Sequence, residues 1–544
     1  MACKGESSAY MWVLTQGLAF VMIWESWKML ERDAYHLHRT FFLPQFLLKY
    51  EWVEAWLPDM VPMSLACAIV GSWACCAVVL ASGAKLGQAA CAWFTLTFAF
   101  FFLSDECHYL NHHYFIILFS GSMSLVPLWR VKAPWNQGED ATLPRWMRWY
   151  FAGIFALLYW YGAIAKVNED WLRGEPLRHW LAGVKGLSKW RRAAIIDWRT
   201  AYLVSYGGLL WDASAPFLLA APWGAARFLG VAGSLAFHGF NYAHFSIGVF
   251  PWMSLVYSTS FFPPDWPQRC ARTLLRTPAP VRTASPDARG KFNGFGWKAL
   301  GTTLLVLFCI QAIVPLRHWT YGTPVEWSDE GHRASWRMKL RDRETRGRLT
   351  VKGLELDPLD GRLAVAGHPL VTERQWRVLR SRPRSLRRFV QWLSPRMVDI
   401  GLMEEPPAIQ ATFIASLNYR PAAPFLSSVE LIDPDLGEDV GEWLEEMPSL
   451  PGYLWYQYPW AFFPAMVGLA EDNPCMPWHL EKLSPPAACI SWWTESGARN
   501  GGPAWAWRRE KWHPVWSKTR RMHPGATPGV FSLPQRPQES PQKK

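Results

Sequence analysis

Long apolar runs dominate residues 1–316, whereas the rest of the chain is polar, basic and rich in Pro and Trp. A helix that crosses a bilayer needs about 20 mostly apolar residues, or somewhat fewer if its ends are protected. The pattern therefore predicts a polytopic α-helical membrane protein with about nine transmembrane helices. The apolar runs lie at 10–24, 61–83, 87–103, 112–129, 149–165, 203–222, 224–240, 245–262 and 297–315.

A different pattern begins after residue 316. Residues 346–368 contain two short strand-like runs around the turn Asp360-Gly361, and Asp-Gly is a strong hairpin signal. Residues 372–393 carry a helical pattern that is broken at Pro383, and 410–420 alternates as a strand does. The second part of the chain therefore predicts a mixed, β-containing extramembrane domain.

These patterns divide the chain into four segments. Residues 1–316 form the predicted membrane domain, and 317–440 form the predicted β-containing domain. A Trp- and Pro-rich extension without an assigned role covers 441–523, and 524–544 has the composition of a disordered tail.

Charge indicates partners and orientation. The net charge is +12, but no nucleic-acid motif accompanies it, so we expect membrane lipids and acidic substrates rather than nucleic acid as partners. The basic loop 263–296 favours the cytoplasmic side, which places the C-terminal domain on the non-cytoplasmic side if nine helices precede it. The loop 166–202 is also basic and would then violate the rule, unless it folds partly into a site.

Cysteine spacing predicts no metal site. The ten cysteines form no CxxC pair and no Cys/His ligand pattern. A pair of histidines, His108 and His112, has the spacing of ligands on one helix face, but Tyr109–Asn111 favour a loop between them. Cys475 and Cys489 could form a disulfide if they lie outside the cytoplasm.

The most informative single residue is Lys166, which directly follows the uncharged run 149–165. One interpretation is an interfacial lysine whose ammonium group reaches back to water. The other is a functional amine, because burial disfavours the charged form and leaves a usable base.

Polar residues near other apolar runs are further candidates. His112 follows Asn111 at the start of a predicted helix, and the simplest interpretation is a helix-start histidine with Asn111 as the cap. His238 and Asn241 lie in an apolar run, where polar residues are usually functional. Asp212 also lies within an apolar run, where it could pair with a cation, orient a histidine or bond across helices.

Several blocks of sequence, in order, resemble the vitamin K-dependent γ-glutamyl carboxylase family, as a bacterial homologue with an HTTM-type membrane domain. Two departures are Leu110, where the family often has Asn, and Ser104-Asp105-Glu106, where it has Leu-Asp-Lys. The blocks are 41–56, 111–114, 159–181, 207–219, 237–269 and 314–343, with a weaker block at 416–434.

The resemblance implies a reaction and its co-substrates. Reduced vitamin K (phylloquinol or menaquinol) reacts with O2 to give a strong base, which removes a γ-proton of peptidyl glutamate before CO2 adds and the epoxide leaves. A lysine matching Lys166 deprotonates the quinol in this family, and the Asn111-His112 pair matches family residues near the oxygenated quinone. His238 is the next catalytic candidate, and no metal is expected.

The resemblance also implies a glutamate-binding region. Trp336 and Arg341 match the part of the family linked to glutamate binding, and Arg420 is a weaker match. Asn241 and Asp212 are further substrate-binding candidates. We expect most arginines of the run 333–348 to lie on a solvated charged face.

Three functions remain open at this point. The first is an integral membrane carboxylase, expected in a bacterial inner membrane, with a lipid quinol and a glutamate-containing peptide or protein as substrates. The second is a related quinol-oxidising or epoxidising enzyme with a different acceptor. The third is a non-enzymatic membrane scaffold, which would have no need of Lys166.

Overall fold

The computed structural model has a helical unit followed by a smaller unit that combines a sheet with two helices. Residues outside the following ranges are not described. The described residues are 5–83, 85–135, 142–182, 198–245, 247–275, 294–360, 363, 367–418, 422–447, 504–508 and 511–515.

The helical unit contains twelve described helices, and short strands β1 (Gly5–Ser7) and β2 (Thr142–Pro144) pair at one edge of it. Non-helical backbone angles at Glu31–Ala34 kink the first helix, so the predicted run 10–24 forms only its first part. The helices are α1 Ala9–Phe41, α2 Met63–Ala81, α3 Gly87–Ser104, α4 Asn111–Ser124, α5 Arg145–Lys166, α6 Glu169–Leu172, α7 Leu177–Ala182, α8 Trp198–Ala220, α9 Gly224–His244, α10 Phe250–Ser258, α11 Trp266–Leu275 and α12 Phe295–Ile313.

Four described helices are long and apolar enough to cross a membrane, so the predicted number of nine is not confirmed. They lie at Met63–Ala81, Gly87–Ser104, Arg199–Ala220 and Phe295–Thr320.

Other predicted runs form shorter or less apolar helices. The run 112–129 yields only the 14-residue α4. The run 245–262 yields the nine-residue α10 followed by a 3-10 turn. Helix α5 is long enough, but Trp and Tyr side chains and Arg148 lower its mean hydropathy.

The second unit is built on a four-stranded antiparallel sheet with strand order β4-β3-β5-β6. The predicted turn Asp360-Gly361 does not join these strands, and Gly361 lies outside the described residues. Instead, β3 and β4 are joined at Lys352-Gly353. Both of these residues have positive φ (49° and 80°), as tight hairpin turns require. The strands are β3 Arg343–Val351, β4 Leu354–Leu356, β5 Ile409–Leu417 and β6 Ala423–Glu430.

Two helices pack on this sheet and form a separate apolar core with it. A single helical turn, α13 (Val325–Ser328), precedes the sheet. The two helices on the sheet are α14 (Glu373–Leu379) and α15 (Pro383–Asp399), which form the pair predicted at 372–393. The break at Pro383 is confirmed, since this residue begins α15, where a missing N–H costs nothing. The strand predicted at 410–420 is confirmed as β5. Farther along, β7 (Ala504–Arg508) and β8 (Lys511–Val515) form a two-stranded hairpin.

Hydrogen bonds join the sheet to the segment that follows α5. Asn418, just beyond β5, donates from Nδ2 to Asp170 Oδ2 at 2.8 Å and accepts from the backbone N–H of Asp342. Trp180 Nε1 donates to Asp342 Oδ2 at 3.1 Å. The described part of loop 166–202 is therefore folded between the two units.

Candidate functional site

A cavity of about 760 Å³ lies at the junction of the two units. Helices α4 to α10 supply part of its wall, and the segment 332–342, which leads into the sheet, supplies much of the rest. Most of its lining is apolar, as in sites that take small molecules. Apolar lining residues include Leu158, Val204, Phe237, Phe240, Phe245 and Phe250.

Lys166 and Asp212 form a buried ion pair on one wall of this cavity. The Lys166 Nζ lies 2.5 Å from Asp212 Oδ2, and the two residues are only 7% and 5% exposed. Lys166 ends α5, and Asp212 lies in the middle of α8. Because neither side chain reaches bulk water, Lys166 is not an interfacial lysine, and the pair can exchange a proton over one short hydrogen bond.

Gly162 makes room for this pair, because a Cβ added there would lie only 2.8 Å from Asp212 Oδ2. The Lys166 Nζ also lies 5.3 Å from the ring centroid of Trp171. The indole N–H of Trp171 donates to the Ser205 carbonyl at 2.9 Å, which holds the ring in place under the amine.

His238 lies in α9 and is almost fully buried. Its Nε2 is 3.0 Å from the Tyr159 hydroxyl, whereas its Nδ1 has no hydrogen-bond partner among the described residues. Both His238 and Tyr159 line the cavity, as does Asn241 one turn farther along α9. The described residues therefore leave this buried Nδ1 without a hydrogen bond.

His112 and Asn111 line the cavity from the first turn of α4. The interpretation of Asn111 as a helix cap was wrong, because its side chain caps nothing. Its Oδ1 accepts from the Tyr109 hydroxyl at 2.9 Å, and its Nδ2 donates to the Arg337 carbonyl at 3.4 Å. Asn111 thus connects the start of α4 to the cationic segment. The predicted break between His108 and His112 is confirmed, since α4 begins only at Asn111.

The segment 332–342 brings three cations to the cavity, and two of them are already paired. Arg337 forms an ion pair with Glu326, and Arg341 forms one with Asp329. These arginines are buried or half-buried, so the expected solvated face is wrong for them. Burial, with Arg343 and Arg382 nearby, holds the pKa of Arg341 well below its usual range.

Lys339 is the third cation, and it differs from the other two. In the described part of the chain it has no carboxylate within ion-pair distance, and its Nζ lies 5.4 Å and 5.8 Å from the ring centroids of Trp180 and Phe245. Burial lowers the pKa of Lys339, and Asp342 partly opposes this shift. Sequence reasoning missed this residue, because nothing in a run of basic residues reveals which ones are paired.

The remaining substrate-binding candidates lie elsewhere. Trp336 is fully buried and packs against Tyr114 and Phe115 of α4, so it supports the cationic segment from behind instead of lining the cavity. Arg420 lies outside the described residues.

Among the described residues, the structure also assembles a group that could hold a metal ion, although the sequence predicted none. Glu25 of α1 lies beside His112 and His113 of α4, with one ligand atom from each within 4.8 Å of the others. Glu25 was not a sequence candidate, and an acidic residue just beyond the apolar run 10–24 is the signal that could have identified it.

Comparison with known families agrees with this architecture. The HTTM domain, a membrane-domain family, matches residues 4–266. The vitamin K-dependent gamma-carboxylase lumenal domain matches residues 297–436. No solved structure matches the chain.

The first match identifies the helical unit as an HTTM-type membrane domain, which makes the chain an integral membrane protein. Taken with the second match, it shows that the chain belongs to the vitamin K-dependent gamma-glutamyl carboxylase family. The boundary between the two matches coincides with the start of α12, and the cavity is lined from both matched regions.

Proposed function

We propose that this protein is a membrane gamma-glutamyl carboxylase that couples oxygenation of a reduced naphthoquinone to carboxylation of peptidyl glutamate. The observation that carries the proposal is the buried Lys166–Asp212 pair on the wall of an apolar cavity at the junction of the two units. Family membership supports the reaction class, and the cavity supports the choice of substrates.

The cavity fits a lipid quinol. Its volume of about 760 Å³ and its aromatic and aliphatic lining suit a naphthoquinone ring. When bound, phylloquinol or menaquinol would supply the oxygen chemistry, with O2 and CO2 as co-substrates. The described residues therefore need only bind it, handle protons and exclude water.

Lys166 is the proposed base for the quinol hydroxyl, and Asp212 is the proposed proton store behind it. An amine can remove a proton only in its neutral form. A carboxylate 2.5 Å away lets Lys166 pass its proton to Asp212 and become neutral without releasing a charge into the apolar cavity. Asp212 thus acts through Lys166, in contrast to its predicted contact with substrate.

His238 and His112 are proposed to contact the quinol and the reacting carbon. Tyr159 fixes the His238 ring through Nε2, which points the free Nδ1 away from that contact. His112 reaches the cavity from α4 beside Asn111. Both histidines are imidazoles in a largely dry pocket, where each can donate or accept one proton.

Lys339 is proposed to bind the carboxylate of the glutamate side chain. Among the cations of the segment 332–342 that line the cavity, Arg337 and Arg341 are occupied by Glu326 and Asp329. In the described part of the chain Lys339 has no carboxylate within ion-pair distance, and a cation without an acidic partner is the one left to bond an incoming carboxylate. Arg341 then holds the segment in place, and Asn241 and Trp336 act as cavity wall and packing support.

The test uses the purified full chain in nanodiscs with reduced vitamin K, O2, labelled bicarbonate and a short glutamate peptide. The expected result is epoxide and fixed label in similar amounts, with no label fixed on the same peptide carrying Gln. Epoxide without fixed label would replace the proposal with a quinol oxygenase that uses another acceptor. The absence of both epoxide and fixed label would contradict the carboxylase and the quinol oxygenase alike.

The position of the second unit is also a proposal. We propose a bacterial inner membrane with this unit on the non-cytoplasmic side, because the basic loop 263–296 favours the cytoplasm. Labelling of cysteines introduced at the exposed positions Lys352 and Arg269, in a chain without its exposed native cysteines and in intact cells, tests it: the reagent should reach only the cysteine at position 352.

A further inference from the structure

Glu25 is a carboxylate buried inside the helical unit without a hydrogen bond. It is 0% exposed, and neither of its Oε atoms has a hydrogen-bond partner among the described residues. An isolated buried carboxylate is costly unless it is paired or binds a cation. The residues beside it are His112 and His113, whose Nε2 atoms are likewise buried and without partners.

One ion-pair contact joins these side chains. His113 Nε2 lies 3.6 Å from Glu25 Oε2, which is beyond hydrogen-bond length. In the same helix, Glu31 and His36 approach to 3.2 Å and do form a hydrogen bond. Two atoms that bind one ion at about 2.1 Å in a tetrahedral arrangement lie about 3.4 Å apart, close to the separation of His113 and Glu25.

We propose that Glu25, His112 and His113 bind a divalent first-row transition metal ion such as zinc. Two imidazoles and one carboxylate suit zinc or ferrous iron, whereas calcium and magnesium prefer oxygen ligands alone. Three protein ligands leave a coordination position open. Because His112 also lines the cavity, the ion would lie next to it.

The charges on and around Glu25, His112 and His113 favour a bound cation. Glu25 contributes one negative charge, and neutral imidazoles contribute none. The positive charge of Lys28, one turn along α1, interacts electrostatically with both Glu25 and His112 and therefore opposes a bound cation. Because Lys28 is only half-buried, solvent screens this charge. The inference goes beyond the proposed function, since the carboxylation chemistry requires no metal.

The test is cobalt binding to the purified, untagged full chain in detergent after treatment with a chelator. We expect about one equivalent of Co²⁺ with visible absorption bands of a four- or five-coordinate site, displaced by Zn²⁺. Glu25→Gln and His113→Gln should each weaken binding by at least about tenfold. The matched variants Glu31→Gln and His36→Gln remove a Glu–His pair from the same helix and should bind as the wild type does.

Thermal unfolding provides a second readout that separates binding from folding. Zinc should raise the wild-type melting temperature with increasing concentration, and this rise should vanish in Glu25→Gln even if that variant is folded. A wild type without the cobalt bands, or with the same affinity as Glu25→Gln, would overturn the proposal. A loss of stability in Glu25→Gln that does not depend on zinc would show a structural buried pair instead, and would also overturn it.

Discussion

The two sides of the cavity balance their charges in opposite ways. On the helical side, one amine and one carboxylate, Lys166 and Asp212, neutralise each other inside an otherwise apolar wall. On the side of the sheet, cations outnumber the acids that reach them, and Lys339 is left without one in the described part of the chain. A neutral pair can move a proton internally, whereas a surplus cation attracts an anion from outside.

This difference assigns the two halves of the proposed reaction. Proton removal from the quinol belongs to the helical side, and recognition of the glutamate carboxylate belongs to the other side. Variants on the helical side should therefore change the rate of both products, and variants opposite them should change the affinity for the peptide.

Lys166→Ala should have the largest effect. Without the base, we expect both epoxide formation and label fixation to fall by at least about a hundredfold, the lower range for removal of a general base. The measurement is the coupled assay at saturating peptide. Lys85→Ala, at an exposed position outside both units' cores, should keep both activities.

A folding control distinguishes chemistry from instability in this case. Lys166→Ala leaves Asp212 as an unpaired buried charge, which destabilises proteins. The double variant Lys166→Met with Asp212→Asn leaves no buried charge, so it should unfold close to the wild-type temperature and still be inactive. Activity in the folded double variant would remove Lys166 from the mechanism.

Asp212→Asn should have the second largest effect. The amide keeps the shape of the side chain but cannot take a proton from Lys166, so we expect both products to fall together by about tenfold to a hundredfold. The ratio of epoxide to fixed label should stay unchanged. A raised ratio would mean that Asp212 contacts the glutamate substrate, as the sequence first suggested.

Lys339→Met should raise the KM for the glutamate peptide by about tenfold, since one charge-assisted bond to the carboxylate is lost, with little change in kcat. Lys352→Met, an exposed lysine in the β3–β4 turn, is the matched control. An unchanged KM would transfer the recognition role to Arg341.

Lys339 should also give the peptide KM a distinctive pH dependence. Burial lowers the pKa of Lys339, so its charge is present below that pKa and is lost as the pH rises through it. The wild-type KM should therefore increase on the alkaline side, and Lys339→Arg, which stays charged, should delay the increase. Identical KM profiles for the two proteins would contradict this assignment.

Tyr159→Phe should have the smallest effect. It removes the hydroxyl that bonds His238 Nε2 at 3.0 Å and nothing else, so both products should decrease by about three- to tenfold. The variant should remain fully folded, because the ring stays buried in place. A loss as large as that of Lys166→Ala would give Tyr159 a direct part in proton transfer.

The sequence alone identified one half of the buried pair. Lys166 could be found because it ends an uncharged run of residues, and a family resemblance pointed to the same position. Its pairing with Asp212 could only be left open, since the two residues are 46 positions apart and meet through the packing of α5 against α8. The same limit applies to Glu25, which meets α4 only in the folded bundle.

In the second unit, local signals succeeded where they matched local structure. The break at Pro383 and strand β5 follow from patterns a few residues long. The β3–β4 turn could not be predicted in this way. Asp360-Gly361 gives the stronger turn signal, but the pairing of Val351 with Leu354 requires the turn at Lys352-Gly353. Which cations are paired, and hence the distinct role of Lys339, depends on distant acids such as Glu326 and Asp329.

The most direct test of the central claim measures epoxide and fixed label side by side for the wild type, Lys166→Ala and Lys339→Met, at peptide concentrations below and far above the wild-type KM. The account predicts that Lys166→Ala loses both products at every peptide concentration, whereas Lys339→Met loses them at low peptide and regains them at saturating peptide. A loss in Lys339→Met that saturating peptide does not restore would contradict the division of the cavity into a proton-handling side and a glutamate-binding side.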